Sequence, residues 1–458
     1  MEVPKRKFTQ SLTFKGITIA VLILFLLIPG AMIRNLIEER QERSRETVQK
    51  INDKWSCSQT LCAPLLLVPY TTTKLDYNNK ASYEEHTFYL TPKELKINAS
   101  LTPEERYYGI YKAILYKSDI HFEGNFSGLA NLKIENSEFH FDKAQIAIGI
   151  TDLKGVTQIP NFKISGKTLE TSVGYVKLFS VSEYVTEKSS RGAYSYPTNV
   201  SGKTLIVNLK DIGLADSLPQ SLHFDCVMKL NGSNSLNFIP IGQNTTVTVS
   251  GQWKSPSFIG GFSPESTIDK EMFNAVWNIL SFNREIPETW SDNNIADLGD
   301  NSFGVNLIET VDHYQQNMRS AKYALMFIAL TFIVFFFVEI FTKKPIHFFQ
   351  YLLVGIALIL FYSLLLSLSE QIGFGLAYLS ASAVTILMIT IYFYSLIKQK
   401  TATFILAGIM LILYAFLYII LQIEDFALLF GSIFLFVILG VIMFVSNKIK
   451  LVKQTFEE

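Results

Sequence analysis

The sequence is poor in cysteine and histidine, with three of the first and six of the second. A small-domain scaffold stapled by disulfides would use more cysteine. One bridge stays open to Cys57 and Cys62 if that region meets an oxidising compartment; two unpaired thiols are the alternative. No histidine stands near them to complete a metal site. Excess charge of either sign is missing too, since Lys plus Arg and Asp plus Glu both total 40. That balance excludes a nucleic-acid binder or a polybasic surface protein.

Catalytic signatures are also scarce. HExxH, GxSxG and CxxC do not occur. "SGKT" occurs twice, at 165–168 and 201–204, and resembles the end of a P-loop. The earlier glycine of that loop falls at Asn161 and Pro197, so both copies read as turns. "SLIK", Ser395 to Lys398, has Ser-x-x-Lys spacing but lacks the partner motifs of penicillin-recognising enzymes. No cofactor and no metal site is implied.

Apolar residues are abundant and uneven: 49% of the chain is hydrophobic and the mean hydropathy is +0.26. Residues 16–33 carry no charge and reach about 27 Å as a helix, close to the hydrocarbon thickness. Basic residues precede them, as in a signal peptide, but the end "IPGAMIRNL" is a poor cleavage site, so an uncleaved anchor is expected. Further apolar runs fill 323–341, 347–369, 374–397, 402–422 and 425–446, each long enough to span a bilayer. Six spans result. Lys343, Lys344, Lys398, Lys400, Lys448, Lys450 and Lys453 mark alternate links and the tail, which places both termini in the cytoplasm.

The expected plan is a cytoplasmic N-terminus (1–15), a first transmembrane helix (16–34), an extracytoplasmic β-rich domain (35–322), a five-helix bundle (323–446) and a cytoplasmic tail (447–458). The β-rich domain begins with a helical stem at 35–54. Short alternating runs such as "LKINASL", "DIHFEGNF" and "TVTVSGQW" then indicate a sandwich-like sheet arrangement. "KEMFNAVWNILSFNR" (270–284) is expected to form one helix. Residues 311–322 are expected to run straight into the second span. "FHFD" places His140 on a solvated face between Phe139 and Phe141.

Three ionisable positions in the membrane half carry functional interest. Glu339 stands near one end of its span with Lys343 four residues on, a favourable helical order. His347 opens the next span, and Glu370 closes it by reaching the surface. Most of a bilayer separates Glu339 from Glu370, so one direct relay between them is excluded. A periplasmic enzyme would instead gather acids such as Asp119, Asp142 and Asp225 in one cleft.

"LLIPGAMIRNLIEER", "APLLLVPY", "YGIYKAILYKSDI", "SFIGGF", "RSAKYALMFIALTFIVFFFVEIF" and "PIHFFQYLLVGIALILFYSLLLSLSEQIGF" together resemble the CreD family of bacterial inner-membrane proteins. The resemblance runs the length of the chain. It is most specific from 311 to 375, through Glu339, Pro345, His347, Gln350, Tyr351, Gly355, Ser369, Glu370 and Gly373. One departure is Ala63-Pro64, preceded by Cys62, where the family has Gly-Pro. The resemblance implies a periplasmic location for the β-rich domain and a role in cell-envelope integrity and envelope stress, with β-lactam or colicin responses in some relatives. It supplies no catalytic residues.

The sequence therefore points to binding or scaffolding rather than turnover. The partners are the lipid bilayer and an envelope protein, lipid or glycan, with no nucleic acid. Glu339, His347, Gln350, Tyr351 and Glu370 are the polar membrane positions to locate. The alternatives are a transporter of a small solute or lipid, and an enzyme acting on envelope glycan or lipid.

Overall fold

The computed structural model describes residues 12–75, 81–189, 192–214, 219–291, 298–307, 313–342, 344–423 and 426–447. The chain divides into a helical unit, 1–45 with 311–458, and a β unit, 46–310. Helix α1 (Leu12–Trp55) runs through Pro29. Membrane helices tolerate an internal proline where neighbours satisfy the freed carbonyl.

The β unit holds two large sheets. Strand β1 (Gln59–Leu75) lies inside the ten-stranded sheet. It pairs in parallel with Ser235–Ile239, and antiparallel with Gln145–Ile150 and with β2 (Ala81–Leu90). The register with Gln145–Ile150 shifts between Cys62 and Leu65. That shift spans Ala63-Pro64, where proline has no N–H for the ladder.

The eight-stranded sheet runs Glu265–Asp269, Met272–Leu280, Asn244–Gln252, β3 (Glu94–Tyr108), β4 (Tyr111–Ser127), Ser221–Ser233, Asn161–Ile164 and Lys167–Leu169. Leu95, Ile97, Ala99 and Leu101 of β3 alternate inward, as a half-buried strand requires. Trp277 of this sheet meets Phe258 and Phe303 of the other, with ring centroids 5.7 and 5.3 Å apart. Apolar faces of both sheets thus share one core.

Two expectations change here. Residues 272–280 form a strand, not a helix: Phe273, Ala275, Trp277 and Ile279 are buried at every second position. Pairing on both sides outweighs the helix-compatible apolar density. His140 is half-buried and lies 2.7 Å from the Thr71 hydroxyl, while Phe139 stacks on Phe141.

The first "SGKT" is a turn. Ser165 and Gly166, both at positive φ, join Ile164 to Lys167 as a two-residue hairpin loop of the primed type. In the second, Gly202 packs on Phe179, where a Cβ would come within 2.5 Å of the ring.

The helical unit continues with α2 (His313–Lys322), α3 (Ala324–Thr342), α4 (Phe348–Ile372), α5 (Phe374–Ile397), α6 (Lys400–Gln422) and α7 (Ala427–Asn447). A turn at Tyr323 separates α2 from α3, so the expected uninterrupted entry into the second span is broken there. Residues 311 and 312 lie outside the described residues. Gly373 joins α4 to α5 in one step at φ 76°, a conformation open to glycine.

Helices α1 and α3 to α6 are long and apolar enough to cross a membrane; α7 is apolar with a shorter stretch, Leu429–Val445. Leu376, Leu387, Phe404, Leu411 and Phe436 stand exposed on these helices and contact lipid in a bilayer. Inside, Phe361 meets Tyr378 and Tyr414 edge-on. Gly355 brings α1 close to α4: a Cβ there would meet Leu26 Cδ1 at 2.2 Å.

Candidate functional site

Glu339 is the most buried of the singled-out carboxylates, 7% exposed on α3. It follows Phe332 by seven positions and Phe335 by four, so all three share the inward face of the helix. Lys15 of α1 forms an ion pair with it, and the Tyr351 hydroxyl of α4 donates to its second oxygen at 3.1 Å. Phe332 and Phe335 flank the Tyr351 ring at centroid distances of 5.6 and 6.1 Å.

Glu339 stands near the end of α3, as expected, but it is buried and does not reach the interface. Its side chain points into the unit and joins three helices. Lys343 lies outside the described residues. A buried carboxylate is costly without a counter-charge and hydrogen bonds, and this one has both.

His347 does not join that cluster. It is the N-cap of α4, exposed, with Nδ1 accepting from the Phe349 backbone N–H at 3.4 Å. Gln350 completes a capping box by accepting from the His347 N–H at 2.9 Å. Of the five polar positions, Glu339 and Tyr351 meet, His347 and Gln350 form the cap, and Glu370 stands apart.

Glu370 lies in the last turns of α4 and is half-buried. Tyr314 of α2 donates to its Oε1 at 3.0 Å. Next to it, Asn317 Nδ2 donates to the Ser369 hydroxyl at 2.7 Å. Glu370 is thus held by α2, a correction to simple extension toward water. Tyr351 and Glu370 are nineteen residues apart on α4, about 28 Å along the axis.

The acids of the β unit divide as well. Asp225 lines an open groove of about 330 Å³ with Glu94, Lys96, Glu123, Lys163 and His223. Asp119 and Asp142 are not in its lining, so this groove does not gather the three acids that the enzyme alternative calls for. Asp225 lies 2.6 Å from His121, a diagonal neighbour on β4. Among the described residues no three His, Cys, Asp or Glu side chains converge as a metal site.

Among the described residues, Cys57, Cys62 and Cys226 form no disulfide. Cys57 Sγ lies 3.8 Å from Asp152, whereas Cys62 is sealed inside β1. Burial pushes the Cys62 thiol well above its ordinary value; it also lifts Cys226, aided by Asp225, to about 12. Ser395 bonds to the Tyr392 carbonyl and Lys398 ends α5 in a left-handed cap, so "SLIK" is a helix terminus.

The sequence reading missed Arg284. It is 7% exposed and donates to the carbonyls of Ile241, Gly242 and Ile286. Burial lowers its pKa, opposed by Glu288. No local signal announces such an arginine, because its acceptors are mostly backbone atoms some forty residues away.

Comparison with known proteins places this arrangement in a family. The solved structures that resemble the chain include the M1 zinc metallopeptidase of Deinococcus radiodurans, with a TM-score of 0.21 and 9% identity. That match covers 47% of this chain and 42% of the other. The Inner membrane protein CreD of Escherichia coli (strain K12) is 30% identical over 439 residues, 93% of this chain and 91% of that protein. The family described as Inner membrane protein CreD matches residues 11–452. The chain belongs to the CreD family of inner membrane proteins.

Proposed function

We propose that this protein supports bacterial cell-envelope integrity and the response to envelope stress, by binding or scaffolding through its β domain and not by turnover. In this reading the chain crosses the inner membrane six times, with both termini in the cytoplasm and the β domain in the periplasm. The lysine-bearing links after α3 and α5 support that orientation. The observation that carries the reading is the use made of the polar membrane positions. Glu339 and Tyr351 join α1, α3 and α4; His347 and Gln350 cap α4; Glu370 joins α4 to α2. Each serves the fold of the helical unit, which leaves recognition to the exported domain.

The test is survival under envelope stress of a deletion strain carrying full-length variants at normal abundance. Lys96→Ala with Lys163→Ala, in the open groove, is expected to lower protection. Wild-type protection from variants across both exposed sheet faces would refute the proposal.

A second reading, transport of a small solute through the helices, has its own observation. Gln316 Oε1, Asn317 Oδ1, Ser320 Oγ and the hydroxyls of Tyr362 and Tyr414 are buried without a partner among the described residues. Polar atoms of this kind suit a hydrated path. Solute uptake that depends on Asn317 in reconstituted vesicles would move the assignment to transport.

A further inference from the structure

We infer that the cleft between the C-terminal turns of α1 and the end of β3 binds a phosphate-bearing ligand; this names a ligand class for the binding function proposed above and rests on it. The cleft measures about 350 Å³ and lies wholly within the β unit. Lys50, Ile51, Lys54 and Trp55 line one wall, and Arg106 and Tyr108 line the other. Positions 50, 51, 54 and 55 share one helix face, so local geometry collects both lysines beside the indole.

Three cations line the cleft and no acid does. Lys50 and Lys54 make no ion pair among the described residues. The Arg106 guanidinium lies over the Trp55 ring, 4.2 Å from its centroid. Glu104 approaches Arg106 at Nε, 3.5 Å away, which leaves the terminal nitrogens of the fork free among the described residues. The Trp55 indole N–H is buried and has no acceptor among the described residues.

A planar fork beside two point charges suits the several oxygens and double charge of a phosphate better than a lone carboxylate. Trp55, Tyr108 and Ile51 offer aromatic and apolar surface for the ring or chain that carries it. A sugar phosphate and a lipid headgroup share this chemistry.

The experiment uses the full chain in phosphatidylcholine nanodiscs and isothermal calorimetry. Glucose 1-phosphate, inorganic phosphate and dioctanoyl phosphatidylglycerol are the probes, with glucose and dioctanoyl phosphatidylcholine as controls. At least one phosphate probe is expected to bind saturably, more weakly as salt rises. Binding is expected to fall by about tenfold or more in K50Q/K54Q and again in R106Q. Circular dichroism and melting check that these surface variants are folded.

Preference for glucose 1-phosphate identifies a sugar phosphate, and preference for the phosphatidylglycerol probe identifies a lipid headgroup. Binding of none of the three, or equal binding by wild type and K50Q/K54Q, overturns the inference and identifies a solvated cationic face. Such a failure leaves the stress-survival result for the groove variants standing, so the two proposals fail separately.

Discussion

Lys15 of α1 forms an ion pair with Glu339 of α3 across 324 residues of sequence. The carboxylate is buried and the ammonium is partly covered. Removal of one partner leaves the other charge uncompensated, at a cost of about 3–5 kcal/mol. Glu339→Leu alone and Lys15→Met alone are therefore expected to lower the melting temperature and the abundance of the purified protein. Lys15→Met with Glu339→Leu is expected to recover most of both, since a well-packed apolar pair replaces a buried ionic one at little cost. A double variant as unstable as the worse single variant would count against this account of the pair.

Leu26 and Gly355 give a second prediction. The Leu26 side chain occupies the space where a Cβ on Gly355 would stand, with Phe332 behind it. Gly355→Val is expected to force α1 away from α4 and to destabilise by about 1–3 kcal/mol, the range for overpacking. Gly355→Val with Leu26→Ala is expected to recover part of the loss. Thermal melting in detergent checks both; a single variant that melts like wild type would contradict the close approach.

Thiol labelling is the third. Maleimide reacts with the thiolate, and burial raises the pKa of Cys62 and Cys226 by disfavouring that charged form. At pH 7 both are expected to stay unlabelled in the folded protein, while half-buried Cys57 labels. Denaturation without reductant is expected to expose three thiols. A count of one would reveal a bridge between two of the three cysteines.

Arg284 supplies the fourth. Its guanidinium satisfies carbonyls of the Ile241–Gly242 turn and of Ile286 in a single fork. Arg284→Lys retains the charge but not that geometry. The expected loss is about 2–3 kcal/mol, since a buried acceptor left unpaired costs its desolvation and bonds to charged groups are the stronger kind. Urea denaturation of the purified protein measures it, and a change below about 0.5 kcal/mol would show the fork to be dispensable.

Much of the fold was legible because its signals are local. The apolar runs appear as α1 and α3 to α7, and alternating residues such as those of β3 appear as strands. The capping role of His347 was also near the surface of the sequence, since Gln350 stands three residues on. Residues 270–284 were misread because period and density disagreed there, and strand pairing decided the outcome. The partners of Glu339 were hidden: Lys15 comes from the other end of the chain and Tyr351 from the next helix. The cationic cleft was hidden for the same reason. Its lysines come from the end of α1 and its arginine from the end of β3.

The most direct test of the central claim is survival under envelope stress of a deletion strain whose only copy carries Lys15→Met with Glu339→Leu. Abundance in the inner membrane is measured alongside. The account predicts protection equal to wild type at equal abundance, because the pair joins helices and the β domain does the binding. Lost protection in an abundant double variant would contradict it and assign the function to the charged pair inside the membrane.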